Sequence, residues 1–68
     1  MNDVKIKFGK RLREIRGQKG VSQEALAADA GLHRTYVSSV ERGERNITLV
    51  NIYRLAKALG VKPAELIS

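Results

Sequence analysis

The side chains best able to do chemistry in this chain fall between positions 33 and 46: His33, Arg34, Thr35, Tyr36, Ser38, Ser39, Arg42, Arg45 and Asn46. They are hydrogen-bond donors and cations rather than a nucleophile with its base. Arg34 carries a planar fork of donors that matches guanine O6 and N7, a contact worth about 1–3 kcal/mol of discrimination. Thr35 offers a hydroxyl to a base or phosphate and a methyl to thymine. Ser38 and Ser39 follow one helical turn later, small enough to let a helix sit deep against its partner. Catalytic alternatives are poor. There is no cysteine, no Ser-His-Asp spacing and no glycine-rich phosphate loop. Glu41 and Glu44 make a carboxylate pair, but a helix end followed by a loop is a poor cavity. The lack of cysteine also excludes disulfides and cysteine-based zinc sites, and the lone His33 cannot build a metal cluster. No metal and no cofactor are expected.

The charge balance points the same way. Thirteen Lys and Arg against seven Asp and Glu leave a formal charge of +6, which suits a polyanionic partner; the plainer alternative is a well-solvated basic surface. Seven of the basic residues lie in the first twenty positions, while Arg34, Arg42 and Arg45 gather mid-chain. No apolar run approaches the length needed to span a bilayer, and the basic N-terminal stretch lacks the hydrophobic segment of a secretory signal. A cytoplasmic location is expected. At 68 residues the chain is expected to be a single domain, 1–68, with a small core and marginal stability, for which a pairing partner is the natural supplement.

The elements that must position these side chains read as all-α. Val4, Phe8, Leu12 and Ile15 recur at helical spacing and give a first helix one apolar stripe from about Asp3 to Gln18, capped by Asn2 or Asp3. Ser22 is the cap of a second helix from Gln23 to about Asp29, with Glu24 in its first turn where the helix dipole favours it. Gly31 supplies a left-handed turn. A third helix runs from about Arg34 to Arg42, Val37 and Val40 facing inward, and Gly43 stops it. Thr48 caps a fourth that ends at Gly60, with Leu49, Ile52, Leu55, Ala56 and Leu59 as its buried stripe. Pro63 opens a short fifth helix through Ile67. No strand pattern, repeat or linker is visible.

The stretch SQEALAADAGLHRTYVSSVERG, Ser22 to Gly43, is the informative one. Two short helices joined through Gly31 meet at a steep angle only if the residue between them is small, and Ala27 is that residue. Leu26, Ala30, Val37 and Val40 supply the apolar faces and Leu32 plugs the gap between them. This spacing is demanding, and it describes a helix-turn-helix. In such a motif the second helix lies in the major groove with its N-terminal residues on base edges. Arg34, Thr35, Ser38 and Ser39 are then the candidates for base readout. Each has a plainer alternative: Arg34 on a phosphate, the two serines merely avoiding a clash. His33, at the cap position, suits capping or phosphate better than a base. Tyr36 either packs its ring alone or also reaches a phosphate with its hydroxyl. Gln23, opening the second helix, is placed for the sugar-phosphate chain, or is an ordinary exposed glutamine. Arg42, Arg45 and Asn46 are expected to clamp the flanking backbone, unless Arg45 pairs with Glu44 or Glu41.

Across nearly its full length the chain resembles the phage-repressor and Cro-like (XRE) helix-turn-helix family, through LREIR, SQEALA, the AGL turn, RTYVSSVERG, and LAKALGV followed by AELI. The string LHRTYVSSVERGERNITL is most similar to the controller proteins of restriction–modification systems, on Arg34-Thr35-Tyr36 and on Glu41-Arg42 through Arg45-Asn46. The resemblance implies a compact five-helix, lambda-repressor-like DNA-binding domain. It supports the placement of Gln23, and it implies a structural ion pair between Arg16 and Glu41. It further implies a regulator that binds operators upstream of its own gene and an endonuclease gene. Phage- or plasmid-type repressors and antitoxin DNA-binding subunits share the family.

Val50 lies roughly opposite the buried stripe of the fourth helix, with Tyr53 about one turn along. With Leu66 and Ile67 they form an apolar patch without an evident internal partner, which suggests a homodimer interface; Ile6 is a weaker candidate for the same patch. A two-fold dimer would place two recognition helices about 34 Å apart and match a pseudo-palindromic site. The expected partners are a double-stranded DNA operator, a second copy of the chain and RNA polymerase as a further candidate; no membrane and no small-molecule ligand is expected. The basic, amphipathic first helix resembles a membrane-surface helix, but Phe8, Leu12 and Ile15 are needed for the core. RNA suits the chain less well, because the narrow A-form major groove does not admit a helix and few aromatics are present for stacking.

Overall fold

Local signals set several of the helix ends. The computed structural model describes residues 3–67 and places five helices there: α1 (Asp3–Lys19), α2 (Gln23–Ala30), α3 (Arg34–Glu41), α4 (Leu49–Leu59) and α5 (Pro63–Ile67). No strand occurs among the described residues. Ser22 Oγ accepts from the Ala25 N–H at 3.0 Å and Thr48 Oγ1 from that of Asn51 at 3.1 Å, each satisfying one of the donors that a helix N-terminus leaves over. The Lys62 N–H donates to Glu65 Oε2 at 3.1 Å and the Glu65 N–H to the Lys62 carbonyl at 2.9 Å, which closes the start of α5. The capping expected of Asn2, or of the Asp3 side chain, lies outside the described residues.

The turn between α2 and α3 depends on Gly31, at φ 72°, where a Cβ is strained. Its N–H donates to Ala28 O at 3.3 Å and that of Leu32 to Ala27 O at 2.8 Å. This pair of bonds ends the helix and redirects the chain. The same pattern closes α4, through Gly60 and Val61 onto Lys57 and Ala56.

One core unites all five helices. Phe8, Leu12 and Ile15 meet Leu26, Ala27 and Ala30, Val37 and Val40, Leu55, Ala56 and Leu59, and Leu66, with Leu32, Tyr36, Ile47 and Ile52 packed around them. α1 lies against α3 and α5, and α4 against α2 and α5. At Gly9, which the apolar stripe does not single out, α1 comes close against the end of α3. A Cβ there would strike the Val40 carbonyl oxygen and come within 2.6 Å of that of Glu41.

Three placements depart from the sequence expectation. Val4 is 80% exposed; the buried stripe of α1 begins a turn later at Phe8, and Val4 instead borders a surface groove with Ile47, Ile52 and Ile67. Leu49, assigned to the buried stripe of α4, is 70% exposed and lies with Val50 and Tyr53 along the outer side of that helix. Leu66, which the sequence places in the pairing patch, is 0% exposed. A five-residue helix is too short to display a period, and its one large buried side chain is the plug that closes α1 and α4.

Candidate nucleic-acid interface

The candidate recognition surface is built on α3. His33 has extended backbone, φ −80° and ψ 145°, and stands at the N-cap, but its side chain makes no capping bond; the capping expected of it is absent. Arg34 and Thr35 open the helix, both exposed, with Thr35 roughly opposite Val37 and Val40 at about 100° per residue. Ser38 is half-buried one turn on. Ser39 corrects the expectation. It is 6% exposed, and its hydroxyl donates to the Tyr36 carbonyl at 2.8 Å. A serine that satisfies itself on the preceding turn can be buried without cost to its polar group, so it has nothing to offer a base.

The far end of α3 is tied to α1. Arg16 Nε and Nη2 reach Glu41 Oε2 and Oε1 at 2.6 and 3.1 Å, and Arg16 Nη1 donates to the Val21 carbonyl at 2.9 Å. The two side chains are 17% and 4% exposed. The hydrogen bond to Glu41 is the main cause that holds the Arg16 guanidinium protonated beyond its usual range, against the opposing effect of burial. Gln23 joins this group. Its Nε2 donates to Glu41 Oε1 at 2.9 Å, so the amide is turned toward the ion pair. What Gln23 leaves facing outward is the N-terminus of α2, whose N–H groups and dipole suit an anion. Ser22, Gln23 and Glu24 share an open cleft with Arg34.

Beyond α3 the loop brings two further cations to the same edge. Arg45 lies over the Tyr36 ring, its guanidinium carbon 5.4 Å from the centroid. The Tyr36 ring is packed against the core and its hydroxyl accepts from Asn51 Nδ2 at 3.0 Å. Asn51 is the residue that sequence reasoning missed: it follows the Thr48 cap by three positions, and nothing in its spacing tells of a partner fifteen residues back. Asn46 is exposed beside Arg45. Arg42, expected on a flanking phosphate, is held instead by its own chain. Nε and Nη2 donate to Glu44 at 3.1 and 3.2 Å, and Nη1 donates to Ser38 Oγ at 2.6 Å. Of the residues assigned to pairing, Val50, Tyr53 and Ile67 are exposed and Leu66 is not.

No group of three potential metal ligands occurs among the described residues, and no described helix is long and apolar enough to cross a membrane. The arrangement is an exposed helix start carrying a guanidinium and a hydroxyl, flanked by an anion-favouring helix N-terminus on one side and by Arg45 on the other.

Known proteins share this architecture. The family described as helix-turn-helix matches residues 12–66. Control protein C.BamHI of Bacillus amyloliquefaciens is 49% identical over 67 residues, 97% of this chain and 83% of its own. The restriction-modification controller protein C.AhdI from Aeromonas hydrophila has a solved structure with a TM-score of 0.88 and 61% identity, covering 90% of this chain and 92% of its own. A second controller, C.Esp1396I, solved as a tetramer in complex with its natural 35 base-pair operator, is 33% identical with a TM-score of 0.89 over 97% of this chain and 87% of its own. With the motif, the five-helix order and these likenesses in agreement, the chain belongs to the helix-turn-helix family, among the restriction–modification controller proteins.

Proposed function

We propose that the protein is a homodimeric, sequence-specific DNA-binding regulator of transcription of the restriction–modification controller type, acting on pseudo-palindromic operators at its own gene and its neighbours. The observation that carries this reading is the exposed leading end of α3, with Arg34 and Thr35 free on a helix whose other end is fastened to the core. Arg34 and Thr35 read base edges, with Ser38 behind them; Ser39 takes no part. The N–H groups at the start of α2, with His33, Arg45, Asn46 and the Tyr36 hydroxyl, hold the sugar-phosphate chains. Val50, Tyr53 and Ile67 pair two copies, and Leu49 extends that patch. The chain acts as one module, in the cytoplasm, without catalysis.

Selection of bound sites from random duplexes tests the reading. Enrichment of two inverted half-sites centred about 34 Å apart, one turn of the duplex, is the expected result. Binding to the selected site should weaken with salt at a log–log slope of about −0.9 for each phosphate contacted. Recovery of no common sequence would sink it.

A further inference from the structure

We propose that Glu44 determines specificity on this face as a positioning residue for Arg42, holding that guanidinium on the Ser38 hydroxyl and away from the phosphates. The inference rests on the DNA-binding reading above. Three of the five N–H donors of Arg42 are engaged within the chain, two by Glu44 and one by Ser38. The loop fixes the carboxylate where it can do this. The Glu44 N–H donates to the Ser39 carbonyl at 3.0 Å and that of Gly43 to Val40 at 3.0 Å, so residue 44 is registered against the last turn of the recognition helix. The Arg42 N–H is likewise bonded to the Ser38 carbonyl, at 3.1 Å. Hydrogen bonding within the pair keeps Arg42 protonated beyond its usual range and holds the Glu44 carboxyl below its own.

The consequence falls on Ser38. A serine hydroxyl has one proton and two lone pairs. With a cation donating into one lone pair, the O–H is polarised and becomes the group it offers outward. Ser38 is then biased toward acceptors in the major groove, such as guanine O6 and N7 or thymine O4, and against the amino group of cytosine. An Arg42 released from Glu44 would instead meet a phosphate, adding affinity that is the same for every sequence. Glu44 thus exchanges indiscriminate affinity for discrimination.

The test compares the wild-type protein with Glu44→Gln, Arg42→Ala and the double variant, each titrated against its selected operator and against a random duplex at several salt concentrations. The substituted side chains are exposed, and thermal melts check that all four proteins are folded. Glu44→Gln is expected to tighten binding to the random duplex and to lower the operator-to-random ratio roughly five- to tenfold, the scale of one base contact. Its salt slope should steepen by about 0.9 per protomer. In the Arg42→Ala background the same substitution should leave the ratio unchanged. The proposal is overturned if Glu44→Gln raises both affinities by one factor, or if its effect survives undiminished without Arg42, since Glu44 would then merely repel the duplex. A wild-type protein that fails to discriminate operator from random duplex would overturn the DNA-binding reading itself.

Discussion

Two guanidinium–carboxylate pairs in this chain have similar geometry and opposite significance. Arg16 and Glu41 are largely withdrawn from water and share their hydrogen bonds with Val21 and Gln23. Arg16→Ala strands a carboxylate that is only 4% exposed, and breaking one side of such a pair costs about 3–5 kcal/mol. For a domain this small that is most of its stability, so the variant is expected to be unfolded by circular dichroism at 25 °C. Arg42 and Glu44 are open to solvent, where ion pairs add little stability. Their pairing shows in titration instead. The Glu44 carboxyl lies below its ordinary value of 4.5, so the contact is complete above that value and is lost as pH falls through the lowered one. An NMR titration should find Glu44 low in the wild type and shifted up toward 4.5 in Arg42→Ala. Arg34 answers to a different measurement. Arg34→Ala should flatten preference at about one base pair per half-site, a loss of about 1–3 kcal/mol there, with its thermal stability unchanged. An unaltered site preference would remove Arg34 from the readout.

Among elements, the junction of α1 with α3 has little slack at Gly9. Gly9 lies against the carbonyls of Val40 and Glu41, whereas a Cβ on Gly17, two turns further along α1, would meet nothing within 4 Å. Helix propensity alone favours alanine at both by about 0.5–1 kcal/mol. Gly17→Ala should therefore raise the melting temperature, and Gly9→Ala should lower it through overpacking of about 1–3 kcal/mol against backbone that no rotamer can relieve. The five helices were legible in the sequence because Ser22, Thr48, Gly31, Gly43 and Gly60 carry local signals that act on the chain wherever it folds. What the sequence left open was depth. A period identifies a face but does not say where along the helix the core begins, so it counts Val4 and Leu49 with the buried residues although both are exposed. It says nothing for α5, which is barely one turn, and so does not reveal that Leu66 is buried. The exposure of Arg34 and Thr35 follows from their position at the start of α3. The burial of Ser39 does not, since it depends on a bond to its own preceding turn. The Asn51 contact with Tyr36 and that of Gln23 with Glu41 join residues that only the folded chain makes neighbours.

At the scale of the whole molecule the protomer measures 31 × 23 × 21 Å, so two copies in contact can set equivalent helices about one turn of DNA apart, near 34 Å. The exposed side of α4 is where such a contact is proposed. Tyr53→Asp should weaken self-association about 10- to 100-fold, the scale of one large apolar side chain, as read by sedimentation. Its melting curve at low concentration should be unchanged, and its preference for a single half-site retained. The manner in which α3 is seated bears on what kind of operator such a dimer can use. Its trailing end is clasped by Arg16, abutted by Gly9, and followed by Gly43 set directly against Ile6. With its trailing end held at these points, α3 is expected to move with α1 rather than on its own, so on the proposed reading misfit between two half-sites falls to the duplex and to the contact between the copies. Operators whose central steps kink readily, the pyrimidine–purine ones, are therefore expected to be selected over stiffer ones even where no side chain reaches them.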